Sequence, residues 1–130
     1  MADHFNTLDS AGTVETVEFT HQGSLAPTFT STAPWYPPYN CTITAVRASL
    51  GVAPSVQAVK VDVQKNGTSI YAVTTANRPS VAASAKTALG GAPDTTALTT
   101  ADYLTVSATQ ADTAGAADTL VVQVSYTRSA

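Results

Sequence analysis

The chain has 130 residues, with nine carboxylates against six lysines and arginines and a formal net charge of −3. A chain of this length fits one domain, and folding removes roughly two-thirds of its unfolded surface from water, so one core can form without disulfides or a metal. So few cations leave no electrostatic footprint for phosphate groups, and we expect no nucleic-acid binding. The sequence has neither a signal-peptide pattern nor a long apolar run, and we expect no membrane span.

The composition favours strands over helices. Hydrophobic residues make up 44% of the chain and are concentrated in Ala, Val and Tyr, while charged residues reach only 12% and Thr is abundant. Side chains branched at Cβ suit a pleated, half-buried surface and lose rotamer freedom on a helix. We therefore expect an all-β protein.

The first residues predict an arm in front of the folded domain. Residues 1–12 are polar, have no sustained period and end in Ser10-Ala11-Gly12. We assign residues 1–12 to an N-terminal arm, with Phe5 as a candidate contact residue, and residues 13–130 to the β-sandwich domain. Residues 14–19 are rich in strand formers and predict a first strand, although their apolar residues do not alternate cleanly.

Prolines exclude a central strand from residues 21–40. This segment contains Pro27, Pro34, Pro37 and Pro38. Proline fixes φ and removes a backbone donor, so the segment must be a long ordered loop or a sheet edge. Residues 42–50 return to strand formers and predict the next strand.

The clearest local pattern is a β-hairpin. Val59, Val61 and Val63 alternate with polar residues, which predicts a strand with one buried and one exposed face. Asn66-Gly67 follows, the pair best suited to the positive φ angles of a type I′ turn. We expect residues 69–73 to pair back as the second strand of the hairpin.

Turn residues dominate residues 76–100, which contain two prolines and two glycines among small residues. They predict a short strand near Val81 and then a long surface loop, with a helix over residues 82–89 as the alternative. Period-two alternation returns at residues 103–108 and 120–127, which predict the last two strands. Strands at this spacing indicate an antiparallel sandwich, jelly roll or barrel rather than a β-α-β fold.

Few residues could carry catalysis. The one nucleophile and base pair that the sequence offers is Cys41 with His21, and thiol enzymes usually show more context than this. We expect a loop histidine and a buried thiol that packs as a small hydrophobe, and hence no enzymatic activity.

Four aspartates lie in predicted loops or at strand starts, where carboxylates could meet and hold a calcium ion. They are Asp94, Asp102, Asp112 and Asp118. None follows the spacing of a calcium-binding loop, and aspartates at turns more often cap the local backbone. We expect no metal and no cofactor.

The segment Pro34-Trp35-Tyr36-Pro37-Pro38-Tyr39 combines three large aromatic side chains with three prolines. Rigid aromatic side chains offer a large contact area at low entropic cost, either to a protein partner or to the apolar face of a sugar ring. Alternatively, Trp35 and its neighbours fold back as a lid over one end of the core. Trp35, Tyr36 and Tyr39 are therefore candidate interface or ligand-binding residues, together with Phe5.

From Cys41 onward the sequence resembles a domain of tailed-phage virion proteins, found in capsid decoration or head-fibre proteins and in tail-tip or receptor-binding proteins. The most specific similarity is the hairpin at residues 61–71, and weaker ones lie at residues 43–50, 77–81, 102–106 and 120–124. The resemblance implies a single antiparallel, jelly-roll-like sandwich that commonly trimerises on a virion, and it supplies no catalytic residue. The sequence departs from the family at Ala101, where glycine is more common, and in the loop at residues 112–115.

The function that this resemblance implies is that of a capsid decoration protein, a homotrimer that binds the assembled shell. The arm and the proline-rich segment would contact the major capsid protein or other virion proteins, on a virion assembled in the host cytoplasm. The alternative is a tail-tip or minor tail protein that binds a host cell-wall saccharide through Trp35, Tyr36 and Tyr39.

Overall fold

The structure, a computed structural model, describes residues 13–25, 28–29, 33–110 and 117–129. The predicted arm and most of the acidic loop at residues 111–118 lie outside the described residues. Within the described ranges the chain forms ten strands and one turn of 3-10 helix (Thr75–Asn77). The strands are β1 (Val14–Ser24), β2 (Thr28–Phe29), β3 (Cys41–Val52), β4 (Val59–Lys65), β5 (Thr68–Ser69), β6 (Ser80–Val81), β7 (Thr87–Leu89), β8 (Ala97–Leu98), β9 (Leu104–Gln110) and β10 (Asp118–Arg128).

The strands form two antiparallel sheets that pack face to face. Sheet A has the order β1-β10-β3-β7, with β8 also paired to β3, and sheet B has the order β2-β9-β4-β5, with β6 also paired to β4. If β5 with β6 and β7 with β8 are each counted as one interrupted strand, each sheet has four strands, in the strand order of a jelly roll. The prediction of an all-β, antiparallel, jelly-roll-like sandwich is confirmed.

The core lies between the sheets and is built from every second residue of the long strands. Val59, Val61 and Val63 are fully buried, together with the alternating residues of β9 beside them in sheet B and of β10 in sheet A. The buried residues of these last two strands are Leu104, Val106, Ala108, Leu120, Val122, Val124 and Tyr126. Period two in the sequence therefore identified the core-facing side of each of these strands.

The hairpin is present, but its second strand is shorter than predicted. Asn66 and Gly67 have φ angles of 53° and 86°, both positive as a type I′ turn requires. β5 contains two residues, and the Ile70 N–H adds one bond to the Val63 carbonyl at 2.9 Å. The chain then leaves β4, because the other end of this edge is paired with β6. The predicted strand over residues 69–73 was wrong beyond Ile70.

The alternative of a helix over residues 82–89 was also wrong. Thr87–Leu89 forms β7, which pairs with Arg47, Ala48 and Ser49 of β3. β8 pairs with the start of the same strand and was not predicted. Strands of two or three residues are too short to show an alternation of hydrophobic residues. These segments become strands because they pair with the free edge of β3, and not because of their local propensity.

The proline-rich segment lies at a sheet edge, one of the two arrangements predicted for it. The Trp35 N–H donates to the Leu104 carbonyl at 3.0 Å, and the Leu104 N–H donates back to Trp35 at 2.9 Å. With β2, which pairs further along β9, this bridge covers the edge of sheet B. Among the described residues, three of the four sheet edges thus consist of short strands or single bridges, whereas β1 presents 11 residues at the fourth.

The burial pattern predicts that two leucines differ strongly in their contribution to stability. Leu120 is 1% exposed and Leu89 is 58% exposed. We expect Leu120→Ala to lower the free energy of unfolding by about 3 kcal/mol, because it removes core contacts and leaves a cavity. The matched variant Leu89→Ala should change it by less than about 0.5 kcal/mol. Urea denaturation measures both, and equal losses would contradict the assigned core.

Candidate interaction surface

Trp35 belongs to a cluster of aromatic side chains at one end of the sandwich. It is half-buried, and its ring centroid lies 5.3 Å from that of Tyr126 on β10. Tyr39 contacts the same Tyr126 ring at 6.5 Å, and the Arg128 guanidinium lies 4.7 Å from the centroid of Tyr39. Trp35 and Tyr39 therefore fold back over the core, the lid arrangement that the sequence left open.

Tyr36 differs from its two aromatic neighbours because it is 56% exposed. Its ring packs at 5.7 Å against Tyr103, which directly precedes β9. This tyrosine pair is the exposed part of the aromatic cluster and the place where a ligand could stack on an aromatic face.

Phe5, the fourth predicted contact residue, lies outside the described residues. The sequence interpretation missed Tyr103, Tyr126 and Arg128 as members of the aromatic cluster. The sequence could have predicted a role for Tyr126, because this residue continues the inward-facing series of β10. The contact of Arg128 with Tyr39 could not be predicted, because only the folded chain brings these two residues together.

The Asn66-Gly67 turn is held by polar contacts next to the tyrosine pair. The Asn66 side-chain amide donates to Asp102 at 2.8 Å, and its oxygen accepts from the Tyr103 N–H at 3.0 Å. Lys65 lies 3.6 Å from Asp102, which also accepts from the Thr99 N–H at 2.7 Å. These carboxylate and amide groups form hydrogen bonds with each other and with the backbone. They stabilise the turn and do not face a ligand.

Asp94 and Asp102 act as local caps, as the sequence suggested. Asp94 accepts the N–H groups of Val73 and Thr74, both at 2.9 Å. Hydrogen bonds from the Thr99 backbone, then from the Asn66 side chain, lower the pKa of Asp102 to about 2. Asp112 lies outside the described residues, and within the described part of the chain no group of three or more His, Cys, Asp or Glu side chains could hold a metal ion.

Cys41 and His21 cannot form a catalytic pair. His21 lies within β1, not in a loop, and is paired with Leu120 of β10, whereas Cys41 is paired with Arg128. These two positions are at opposite ends of β10, roughly 25 Å apart at the rise of a strand. Burial, and then the Glu15 carboxylate, raise the pKa of the Cys41 thiol, which disfavours the thiolate.

Each sheet carries at least one hollow on its outward face. The one on sheet A has a volume of about 620 Å³, extends from Glu18 and Arg47 to Trp35, and is open to solvent. The other, about 460 Å³, lies on sheet B and is lined by Lys60, Arg78 and small residues. In the described part of the chain, no helix has the length and apolar character needed to cross a membrane.

No protein-family model matches the chain, and no curated protein matches its sequence. Among solved structures, a chain in the capsid of Ralstonia phage GP4 is similar over 94% of this chain and 88% of that chain, with 16% identity and a TM-score of 0.57. Because the similarity covers most of both chains, the two are of similar length and share one fold.

Two other solved structures are only weakly similar. The VP2 subviral particle of infectious bursal disease virus has 12% identity and a TM-score of 0.35, over 94% of this chain and 39% of that chain. Latent PorU from Porphyromonas gingivalis has 14% identity and a TM-score of 0.37, over 92% of this chain and 10% of that chain.

The contacts of Asp102 predict a pH-dependent stability. Its pKa is lower in the folded than in the unfolded chain, so its contribution is present above about pH 4 and is lost as the pH falls towards about 2. We expect Asp102→Asn to lower the thermal midpoint at pH 7 by several degrees and to differ little from wild type near pH 2. Glu18→Gln, on the exposed face of β1, serves as the control. A pH-independent difference for Asp102→Asn would contradict the capping role.

Proposed function

We propose that the protein is a capsid decoration protein of a tailed phage, a cement or head-fibre protein that binds the assembled shell. The observation that carries this proposal is the fold shared, over most of both chains, with a chain in the capsid of Ralstonia phage GP4. The sequence resemblance to phage virion proteins points in the same direction. We further propose that the protein acts as a homotrimer at the virion surface.

A decoration protein has to bind the shell but does not have to catalyse a reaction. The arrangement of the potentially catalytic side chains agrees with such a role. A protein that binds only the assembled shell stabilises it by mass action, by about 2.7 kcal/mol per site when its free concentration is one hundred times Kd. The separation of His21 from Cys41 and the engagement of Asp94 and Asp102 in local caps support a non-enzymatic role.

The side of the sandwich formed by β1 and β2 is our candidate for attachment to the shell. β6 packs against β7 at one side of the sandwich, so the sheet edges β1 and β2 lie together at the other. Residues 1–12 directly precede β1, and the proline-rich segment follows β2. The two segments that the sequence nominates for docking on capsid subunits therefore join the sandwich on the same side.

A tail-tip protein that binds a host glycan is the second candidate, favoured by the exposed pair Tyr36 and Tyr103. An exposed aromatic face can stack on the apolar face of a sugar ring. Sugar recognition also needs free polar groups, and those nearest to this pair are engaged in the Asn66 turn. We therefore rank decoration first.

Deletion of residues 1–12 tests the attachment role of the arm. We expect the shortened protein to lose binding to purified shells in co-sedimentation, because the arm contributes the contact, while its circular dichroism spectrum and thermal midpoint stay close to wild type. Phe5→Ala provides a milder variant that leaves the chain length unchanged. Arm-deleted protein that still saturates the shells would rule out this role.

A glycan pulldown separates the two candidate functions. We expect no retention of the wild-type protein on cell-wall saccharide, and no change with Tyr36→Ala. Tyr36 is the cleaner site for substitution, because Trp35→Ala would also remove contacts with the core. Retention that depends on Tyr36 would favour the tail-tip function, and a density map of the intact particle would locate the protein on head or tail.

A further inference from the structure

A furrow crosses the outward face of sheet B, from β6 over β4 to β9. It consists of two adjoining hollows of about 460 Å³ and 400 Å³ that share Lys60. The first is lined by Thr75, Ala76, Arg78 and Ser80 in addition to Lys60, and the second by Gln57, Ala58 and Thr109.

Strand register explains why these side chains lie together. Lys60 of β4 stands between Ser80 of β6 and Thr109 of β9, and directly paired residues in a sheet point to the same face. Arg78 precedes Ser80 by two residues, and the 3-10 helix that contains Thr75 forms the wall beside it. The furrow thus has a floor of strand residues with a cation in its centre and a second cation towards one end.

The two cations of the furrow differ in their ion pairing. Lys65 pairs with Asp102 at 3.6 Å, whereas Lys60 has no carboxylate of a described residue within 4.0 Å. Arg78 has one ion pair, from its buried Nε to Asp62 at 3.7 Å, and that Nε makes no hydrogen bond.

Asp62 itself is already occupied by two other donors. It accepts from the Ser69 hydroxyl at 2.6 Å and from the Gln64 amide at 3.1 Å. Both donors are neutral, so the Asp62 carboxylate still anchors the Arg78 side chain and offsets one positive charge, and Lys60, Arg78 and Asp62 together carry a formal charge of +1. The terminal guanidinium nitrogens remain available to the furrow, together with the Lys60 ammonium.

Carboxylates are the ligand chemistry that this arrangement fits. A guanidinium binds a carboxylate in a planar, bidentate geometry, and an ammonium and two hydroxyls add further donors. The neighbouring surface is apolar: Val73, two residues before Thr75, is 83% exposed, and Val56, next to Gln57, is 59% exposed. An acidic protein segment with apolar side chains matches both features, whereas a nucleic-acid backbone has no apolar side chains to contact these valines.

We propose that this furrow is a docking site for an extended acidic segment of a protein partner, bound through Lys60 and Arg78. That the partner is a virion protein rests on the proposed function; the site and its carboxylate chemistry do not. The proposal gives the protein a second contact surface, on the outward face of sheet B and not at the sheet edges formed by β1 and β2.

Charge neutralisation on the two faces tests the docking site. We expect Lys60→Gln/Arg78→Gln to bind purified shells about tenfold more weakly or worse, because charge-assisted hydrogen bonds are lost. The control Arg47→Gln/Lys86→Gln makes the same change in net charge at residues of sheet A and the loop before β7, and should bind like wild type. Lys60→Gln alone leaves the Arg78 contact with Asp62 intact, so a partial loss in this variant excludes misfolding as the cause.

A measurement without shells separates this proposal from the proposed function. A short poly-glutamate peptide, added to the labelled protein, should shift the backbone amide signals of Lys60, Arg78 and Ser80, and the shifts should weaken with added salt. Inorganic phosphate and a short oligothymidylate, tested in parallel, should produce much smaller shifts.

The outcomes are distinct. If shells bind the double variant as tightly as wild type and the peptide shifts no furrow signal, the docking site is wrong and the decoration function stands. If the peptide shifts the furrow signals but wild-type protein binds no shell, the decoration function is wrong and the site stands. Stronger shifts with oligothymidylate than with the glutamate peptide would also overturn the proposal.

Discussion

The structure depends on β10, which is paired along almost its whole length with β1 on one side and β3 on the other. Its inward residues are buried between the sheets, so the register of sheet A is fixed by the burial of one face. An irregularity opposite Ser125 pairs Ala45 with Ser125 and Ile43 with Tyr126, which leaves Thr44 as an extra, exposed residue. This bulge keeps both Ile43 and Cys41 on the inward face, where they are buried.

In some regions of the surface the polar side chains bond to other groups of the protein, and in other regions they do so less completely. The turn at Asn66 and the caps at Asp94 and Asp102 use their polar atoms internally. The furrow on sheet B contains Lys60, which has no ion pair among the described residues, and Arg78, which is paired with Asp62. Such differences indicate where a partner can bind, because a polar group that already has a hydrogen bond within the fold gains little free energy from bonding to a partner instead.

The sequence predicted the structure where hydrophobic residues alternate regularly. It did not predict features that depend on contacts between residues far apart in the chain. The valines of β4 and the alternating residues of β9 and β10 predicted both the strands and their buried faces, and the Asn66-Gly67 pair predicted the turn. β7 and β8 are defined by the free edge of β3, which no local pattern reveals. Likewise, Lys60 and Arg78 are 18 positions apart in the sequence, and only the pairing of β4 with β6 brings them into one furrow.

The unequal sheet edges have a consequence for solubility. A strand edge of two or three residues offers too few backbone groups to recruit another chain, so three edges give little opportunity for intermolecular sheet growth. On β1, the long edge, Glu15 and Glu18 place negative charges along the strand, and Gly23 adopts a φ of +94° near a shift in register. Charges and irregular pairing both discourage strand addition. Loss of these residues would leave β1, the longest sheet edge among the described residues, open to strand addition and fibril growth.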